Sequence, residues 1–383
     1  MNEKIIRIDI NHSEILKRAQ EISDVRSFKK IKTIPISLCI AEQFLGNKIG
    51  HSMKNFYNDP EDRLTTLILG QKWVLENIKS HKTDISLSSH VSNVDEAVAL
   101  GGELFLPNDD LNIPNVRSWV RDNNDLKILN KINPLESDYR KNNLKFSEQM
   151  RKLAKKIYIV FKDDVKMKLL EFSGNIFFGG GTMGPFTIAQ QLRGSRIYYD
   201  VMDNPKFLLE LLKIVTEKII CWQEFLIENN KKNGLESAVF ITDDSAVNLS
   251  LEQFDKFSGR FCSYIMDYFK DYYIYWHMCG NANHLLDYFA ENLRFNEYSL
   301  FGYMQDKLKI KRLFGNKCVL EGNVSPVTIH LKSREEVFNE CLDILDVFKD
   351  VKGFILSDGA NIPPESKKEN INAIYDAVQT ISM

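Results

Sequence analysis

An α/β fold, a (β/α)8 TIM barrel with N-terminal helical insertions, is what the 383-residue sequence predicts, on three observations. Short runs rich in β-branched and aromatic residues recur along the chain, and most are followed by a stretch of helical period. Such alternation argues for a parallel sheet joined by crossover helices. The runs end at or near Gly, Asn or Asp, and reactive side-chain types collect at those ends, where a barrel of this kind keeps its chemistry.

The elements run in chain order. Residues 33–40 and 84–89 are the first two candidate strands, separated by long spacings. The region 126–170 reads as helices carrying many charges, insertions that cap the barrel. From the middle onward the candidate strands are 175–180, 238–242, 273–278, 297–301, 318–322 and 353–357. The helical stretches between them include 205–228, 251–269, 283–291, 335–348 and 368–379. Pro205 comes directly after Asn204, which suits an N-cap with proline at the first helical position. Ser250 with Gln253 makes a capping box for the helix beginning at 251. No Pro/Gly/Ser linker divides the chain. A single domain over 1–383 is expected, with an N-terminal elaboration to about residue 170 and regular repeats from about 171 onward.

Composition excludes some functions. Fifty Lys and Arg stand against 52 Asp and Glu, a net charge of −2, too balanced for the field of a strongly basic nucleic-acid binder. No apolar run approaches the roughly 18 residues of a membrane span. Residues 1–9 alternate charge with isoleucine and lack the apolar core of a signal peptide. The expectation is a soluble, cytoplasmic protein with no nucleic-acid or membrane partner. Six cysteines are scattered without a CxxC pair, which reads as reduced thiols. Cys39, Cys221, Cys262, Cys318 and Cys341 are expected to be small buried hydrophobes.

Cys279 is set apart by its neighbour. On a strand, residues two apart point to one face, so His277 and Cys279 project together from the end of the run 273–278. An imidazole and a thiol so placed can grip one zinc ion; the plainer alternative is a buried histidine beside an inert cysteine. Asp243 and Asp244 end the strand 238–242, and adjacent acids there are costly to bury unless paired or bonded. One of them is expected at the barrel mouth, as acid/base group, metal ligand or substrate anchor. Glu42, His90, Glu321, Asn323 and Asp358 also stand at strand ends. The loop Gly179-Gly180-Gly181-Thr182-Met183-Gly184-Pro185 is neither a P-loop nor a dinucleotide fingerprint, and reads as a turn allowing close approach to the mouth.

With these residues in view, the chain resembles the uroporphyrinogen decarboxylase superfamily, which also contains corrinoid-linked methyltransferases. The resemblance runs from about Val94 to the C-terminus. It is carried in order by Asp95-Glu96-Ala97, Gly101-Gly102-Glu103 with Pro107, Gly184-Pro185-Phe186-Thr187, Leu192-Arg193-Gly194, Asp243-Asp244-Ser245-Ala246, His277-Met278-Cys279-Gly280, Gly322-Asn323-Val324-Ser325-Pro326 and Glu369-Asn370-Ile371. The superfamily's fold is a (β/α) barrel. The arginine-rich N-terminal motif with which true decarboxylases grip a porphyrinogen has no counterpart near 37–45. Glu42 stands there instead, and its charge would repel a polycarboxylate.

His-x-Cys is similar to the methyltransferase branch, in which His and Cys bind zinc and a separate corrinoid protein carries the methyl group. The thiol-methylating members take a third ligand from a Cys where this chain has Ala360, and a carboxylate after the sixth strand where it has Leu300-Phe301-Gly302. Two protein ligands do not close a zinc site. Either Asp243, Glu321 or Asp358 completes it, with Glu321 preferred, or no metal binds.

The resemblance thus implies a corrinoid-dependent methyltransferase acting between a small methylated compound, such as a methoxylated aromatic, and a corrinoid protein. Zinc would be held by His277, Cys279 and Glu321. Asp243 and Asp244 would be catalytic, and Glu42, His90, Asn323 and Asp358 would contact substrate; a homodimer is left open. The alternatives are a metal-independent decarboxylase or lyase on a small carboxylated substrate, with Asp244 as the acid/base residue, and a non-catalytic barrel that binds a small ligand or a corrinoid partner.

Overall fold

The protein is described by a computed structural model covering residues 3–174, 176–177, 182–232 and 234–381. Six parallel strands lie side by side in the order Phe354–Asp358, Val319–Val324, Glu297–Tyr298, Tyr273–His277, Ala238–Thr242 and Thr182–Met183. Their neighbours in sequence are their neighbours in space, as the right-handed crossover rule for βα units leads one to expect. Leu87–Ser88 pairs in parallel with Ile176–Phe177. On the other side, Ile36 bridges in parallel to Leu356, and Ile40 to Ile362. Chain order is therefore ring order, and the fold is a (β/α)8 TIM barrel.

Alternation along the strands sorts side chains between the ring's interior and its helical coat. Phe240 stacks on Tyr275 at 5.5 Å and on His277 at 6.4 Å, within the ring. Trp276, one residue out of phase, packs edge-on against Phe289 of the helix Leu286–Asn292 at 5.4 Å. The end of the ring where the strands begin is covered by the helix His12–Arg26: Val25 joins Val319 and Ile355 in a buried cluster. Arg26 reaches in from that side to Glu297, which is fully buried, with Nε 2.9 Å and Nη2 3.3 Å from its carboxylate oxygens. Tyr273 donates to the same carboxylate at 3.0 Å.

The expected elements differ from the observed ones in instructive places. The run 33–40 supplies only isolated bridges, because the Cys39 N–H donates to the Asp358 carboxylate and not to a ladder. The run 84–89 contracts to Leu87–Ser88; Ser86 exchanges both backbone bonds with the Gln71 side-chain amide, which replaces a strand partner. The run 297–301 contracts to Glu297–Tyr298, since Leu300 takes a left-handed φ of 49° that ends a strand. Of 175–180, Ile176–Phe177 is strand and the remainder lies outside the described residues, as does the loop 179–181.

The charged region 126–170 is helical through Asn123–Lys131 and Asp138–Ala154. Beyond it the helical expectation fails: Ile157–Phe161 is a strand, paired in parallel with Lys4–Ile8 and antiparallel with Lys166–Lys168. Four of its five residues are buried, so packing outweighs the flanking lysines. The stretch 251–269 is interrupted by a π-helical turn at Asp255–Gly259, while the Ser250–Gln253 capping box forms as expected. Among the described residues no helix is long and apolar enough to cross a membrane.

Removing Arg26 would strand a buried carboxylate at the base of the ring. Arg26→Met should destabilise the fold by about 2 kcal/mol, below the usual range for a fully buried pair because Arg26 keeps some solvent contact. The double variant Arg26→Met, Glu297→Gln should recover much of that loss in denaturant unfolding. Equal losses in the single and double variants would show that the pair does not support the fold.

Candidate active site

The two acids that end the strand Ala238–Thr242 have separate fates. Asp243 is fully buried, and its carboxylate accepts from the Thr187 N–H at 2.7 Å, the Phe186 N–H at 3.4 Å and the Ser258 hydroxyl at 2.6 Å. Phe186 and Thr187 lie in the first turn of the helix Pro185–Arg193, so Asp243 caps a helix N-terminus with its charge. A Cβ at Gly184 would fall 2.5 Å from the Asp243 side chain, which explains glycine before that helix. Expected from the sequence as a catalytic residue, Asp243 lies fully buried, with its oxygens bonded to the helix N–H groups and to Ser258.

Asp244 turns the other way and is partly exposed. Its Oδ1 accepts from the Cys279 N–H at 2.8 Å, and its Oδ2 lies 3.5 Å from His277 Nε2. The His277 Nδ1–H donates to the Ser299 carbonyl at 3.0 Å, which orients the ring and leaves Nε2 toward Asp244 and Cys279. Burial disfavours charge on His277, but Asp244 and then Cys279 hold its imidazolium well above the ordinary histidine range. Burial likewise opposes ionisation of Asp244, yet His277 and the Cys279 amide and thiol bring its carboxyl below the usual value.

The ligand atoms of Asp244, His277 and Cys279 lie within 4.8 Å of one another. Glu321, chosen from the sequence as the third ligand, is not in this group. It is buried, and its Oε2 accepts from the Ser299 hydroxyl at 2.5 Å. Ser299 thus holds His277 by its carbonyl and Glu321 by its side chain. Among the described residues, Asp244 is the acid that lies with His277 and Cys279.

The other expected residues gather beside this group. Asn323 is buried, donates to the Gly302 carbonyl at 3.3 Å, and has no protein partner for its own side-chain oxygen. Asp358 is fully buried; its Oδ1 accepts from the Cys39 N–H at 2.8 Å, while Oδ2 has no protein partner. Burial, with the nearby Glu321 charge, pushes the Asp358 carboxyl up to about 8. Glu42 opens the helix Glu42–Ile49, half-buried and close enough for its charge to reach His90. His90 contacts the Ser88 hydroxyl through Nδ1, and burial lowers its affinity for a proton. Arg63 lies behind, fully buried, donating to the carbonyls of Ser88 and His90.

Two residues at the site escaped the sequence reading. Ser299 gives no signal in a sequence, since its carbonyl and hydroxyl act across strands. Cys39 did give one: it lies near the end of the first candidate strand, the same kind of position that singled out the others. Expected to be a buried hydrophobe, it is half-buried at the mouth, and its thiol donates to Asn361 Oδ1 at 2.8 Å, next to Ala360.

The family model of uroporphyrinogen decarboxylase (URO-D) matches the chain over residues 29–381. The chain belongs to the uroporphyrinogen decarboxylase family. It is 24% identical over 212 residues to a uroporphyrinogen decarboxylase of Aliarcobacter butzleri, an alignment covering 53% of this chain and 59% of that protein. The chain is thus matched over little more than half the length of that curated relative. Among solved structures, a methyltransferase from Methanosarcina mazei superposes with a TM-score of 0.69 over 96% of this chain and 98% of that chain, at 18% identity. That likeness is one of fold. This member of the uroporphyrinogen decarboxylase family thus has the barrel fold, with polar groups gathered at its strand ends.

Two outcomes test this division of roles. Asp243→Asn should lower the melting temperature, because an amide cannot accept from all of its present donors, and by more than Asp244→Asn, which removes only the acidic partner of the His277 imidazolium. Asp358 should make stability fall with pH. Its folded value is raised, so as pH climbs from about 4 to about 8 the unfolded chain ionises this group while the folded chain retains the proton. Asp358→Asn should flatten that part of the melting-temperature profile; an unchanged slope would show that the carboxyl is not held neutral.

Proposed function

We propose that this enzyme is a corrinoid-dependent methyltransferase with a zinc site formed by Asp244, His277 and Cys279. The observation that carries this reading is the convergence of one oxygen, one nitrogen and one sulfur donor within 4.8 Å at the ends of adjacent strands. Mixed donors of this kind suit zinc, and three protein ligands leave the fourth position open, as catalytic sites require. Zinc bound there would act as a Lewis acid on the heteroatom of a methyl donor or acceptor.

The chain's own residues do the rest. Ser299 fixes the imidazole so that Nε2 faces the site, and Glu321 holds Ser299. Asp243 positions the strand end from which Asp244 projects. Asn323, Asp358, Glu42 and His90 form the substrate side, and Asp358, held neutral near pH 7, can donate to a leaving oxygen. The substrate in this reading is a small methylated compound, such as a methoxylated aromatic. The methyl partner is a corrinoid protein docking at the mouth, in line with the resemblance to the methyltransferase branch and the fold shared with the Methanosarcina enzyme.

A second reading has one observation in its favour, the sequence likeness to a uroporphyrinogen decarboxylase. In it the Asp244–His277 pair serves as a metal-free acid/base couple on a small carboxylated substrate. Glu42 in place of an arginine motif weighs against any polycarboxylate.

Metal analysis separates the two. The purified wild type should hold about one zinc per chain. His277→Ala with Cys279→Ala should lose it, Asp244→Asn should weaken its retention against a chelator, and Glu321→Gln should keep it. Cobalt substitution should give a thiolate-to-metal absorption that disappears in Cys279→Ser. Zinc absent from the wild type, or retained in the double variant, would overturn the site; carbon dioxide release by metal-free enzyme would establish the second reading.

A further inference from the structure

The charges around the mouth are unevenly distributed, and the thiol of Cys39 serves as a ruler for them. Apart from burial, what raises its proton affinity is the proximity of Asp358, then Glu321, Glu42 and Cys279, all acidic side chains or thiols and none of them a cation. These come from four different parts of the ring: the start of the helix after the first strand, the ends of the fifth and eighth strands, and the middle of the seventh. Opposing cations are few among the described groups. Arg63, the guanidinium nearest Glu42 in its influence, is fully buried against the Phe56 ring at 4.4 Å and is spent on two backbone carbonyls. Arg26 sits at the far end of the barrel, bound to Glu297. Residues 178–181, Phe-Gly-Gly-Gly, add no charge.

A divalent metal on Asp244, His277 and Cys279 would be balanced by the carboxylate and the thiolate that hold it. Glu42 would then face only Arg63, and Glu321 only the distant Arg26, two cations already bound elsewhere. Two buried acceptors also lack a protein partner, Asp358 Oδ2 and the Asn323 side-chain oxygen. A buried acceptor without a donor is costly, and an N–H-bearing ligand would satisfy both. We propose that the site selects a small substrate carrying an ammonium group, held by Glu42, Asp358 and Asn323 beside the heteroatom that reacts at Asp244, His277 and Cys279. This rests on the methyltransferase reading for the position of the reacting atom, but the charge selection is independent of it.

An incoming ammonium would offset the desolvation that keeps Asp358 protonated, so ligand binding should release a proton there. A carboxylate in the same position would meet the carboxylates of Glu42 and Glu321. Its binding should be weaker by a like-charge penalty that buried surroundings screen poorly.

The test uses three matched aryl methyl ethers, 4-methoxybenzylamine, 4-methoxybenzyl alcohol and 4-methoxybenzoate, titrated calorimetrically into the zinc-loaded protein and into chelator-treated protein near pH 7. The amine should bind at least about tenfold more tightly than the carboxylate, with the alcohol between them. Glu42→Gln and Asp358→Asn should each narrow that ratio several-fold while leaving the zinc content unchanged. Proton uptake or release, read by repeating the amine titration in buffers of different ionisation enthalpy, should show release that is lost in Asp358→Asn. Equal binding of amine and carboxylate, preference for the carboxylate, binding of none of the three, or a ratio unmoved in both variants would each overturn the inference. Failure of the metal reading shows separately, as an amine preference that persists in a protein without zinc.

Discussion

Parallel pairing is the constraint on which the rest of this structure depends. From Ala238 to Asp358 the consecutive strands hydrogen-bond to their neighbours in one direction, so every strand ends at the same rim. Residues far apart in the chain, Asp244, Cys279, Asn323 and Asp358, are brought to that rim by the ladder. The helices between strands are the geometric consequence, since a parallel connection must return to the starting edge. What the pairing leaves open is how each strand end is aimed, and that falls to a few side chains.

Four acids show how far environment, and not residue type, assigns the role. Glu297 lies at the base of the ring and neutralises Arg26. Asp243 is sealed against a helix N-terminus and a serine. Asp244, its immediate neighbour, faces an imidazole and a thiol. Asp358 has one oxygen on a backbone N–H and the other unpartnered, so burial favours its neutral form. Each arrangement resolves the cost of taking a carboxylate out of water by a different route: an ion pair, helix and hydroxyl hydrogen bonds, a cationic neighbour, or a retained proton.

The strands most easily read in the sequence were those whose pattern and pairing agree. Ala238–Thr242 and Tyr273–His277 are compact β-branched and aromatic runs buried in the ladder. Residues 33–40 and 84–89 carry the same pattern, but Asp358 and the Gln71 amide take backbone groups that a ladder would have used. Ile157–Phe161 was hidden for the opposite reason: charged flanks suggested helix, and only its pairing with Lys4–Ile8 reveals a strand. At the site, His277 and Cys279 were legible because two-residue spacing on a strand is a local property. The third donor was not, because Asp244 and Glu321 are equally plausible strand-end acids until their partners are known.

Periodicity, turn residues and a short ordered set of motifs were enough to determine the barrel, the family resemblance and the rim at which chemistry is concentrated. These are properties of local spacing and composition, which the chain carries without being folded. Tertiary structure alone decided which of two adjacent aspartates caps a helix and which meets His277, that Glu321 bonds Ser299, and that Cys39 lies among acids at the mouth. Those outcomes depend on which side chains reach across from other strands and how much water they exclude. Distance and desolvation are set between residues dozens or hundreds of positions apart, and no local pattern encodes them.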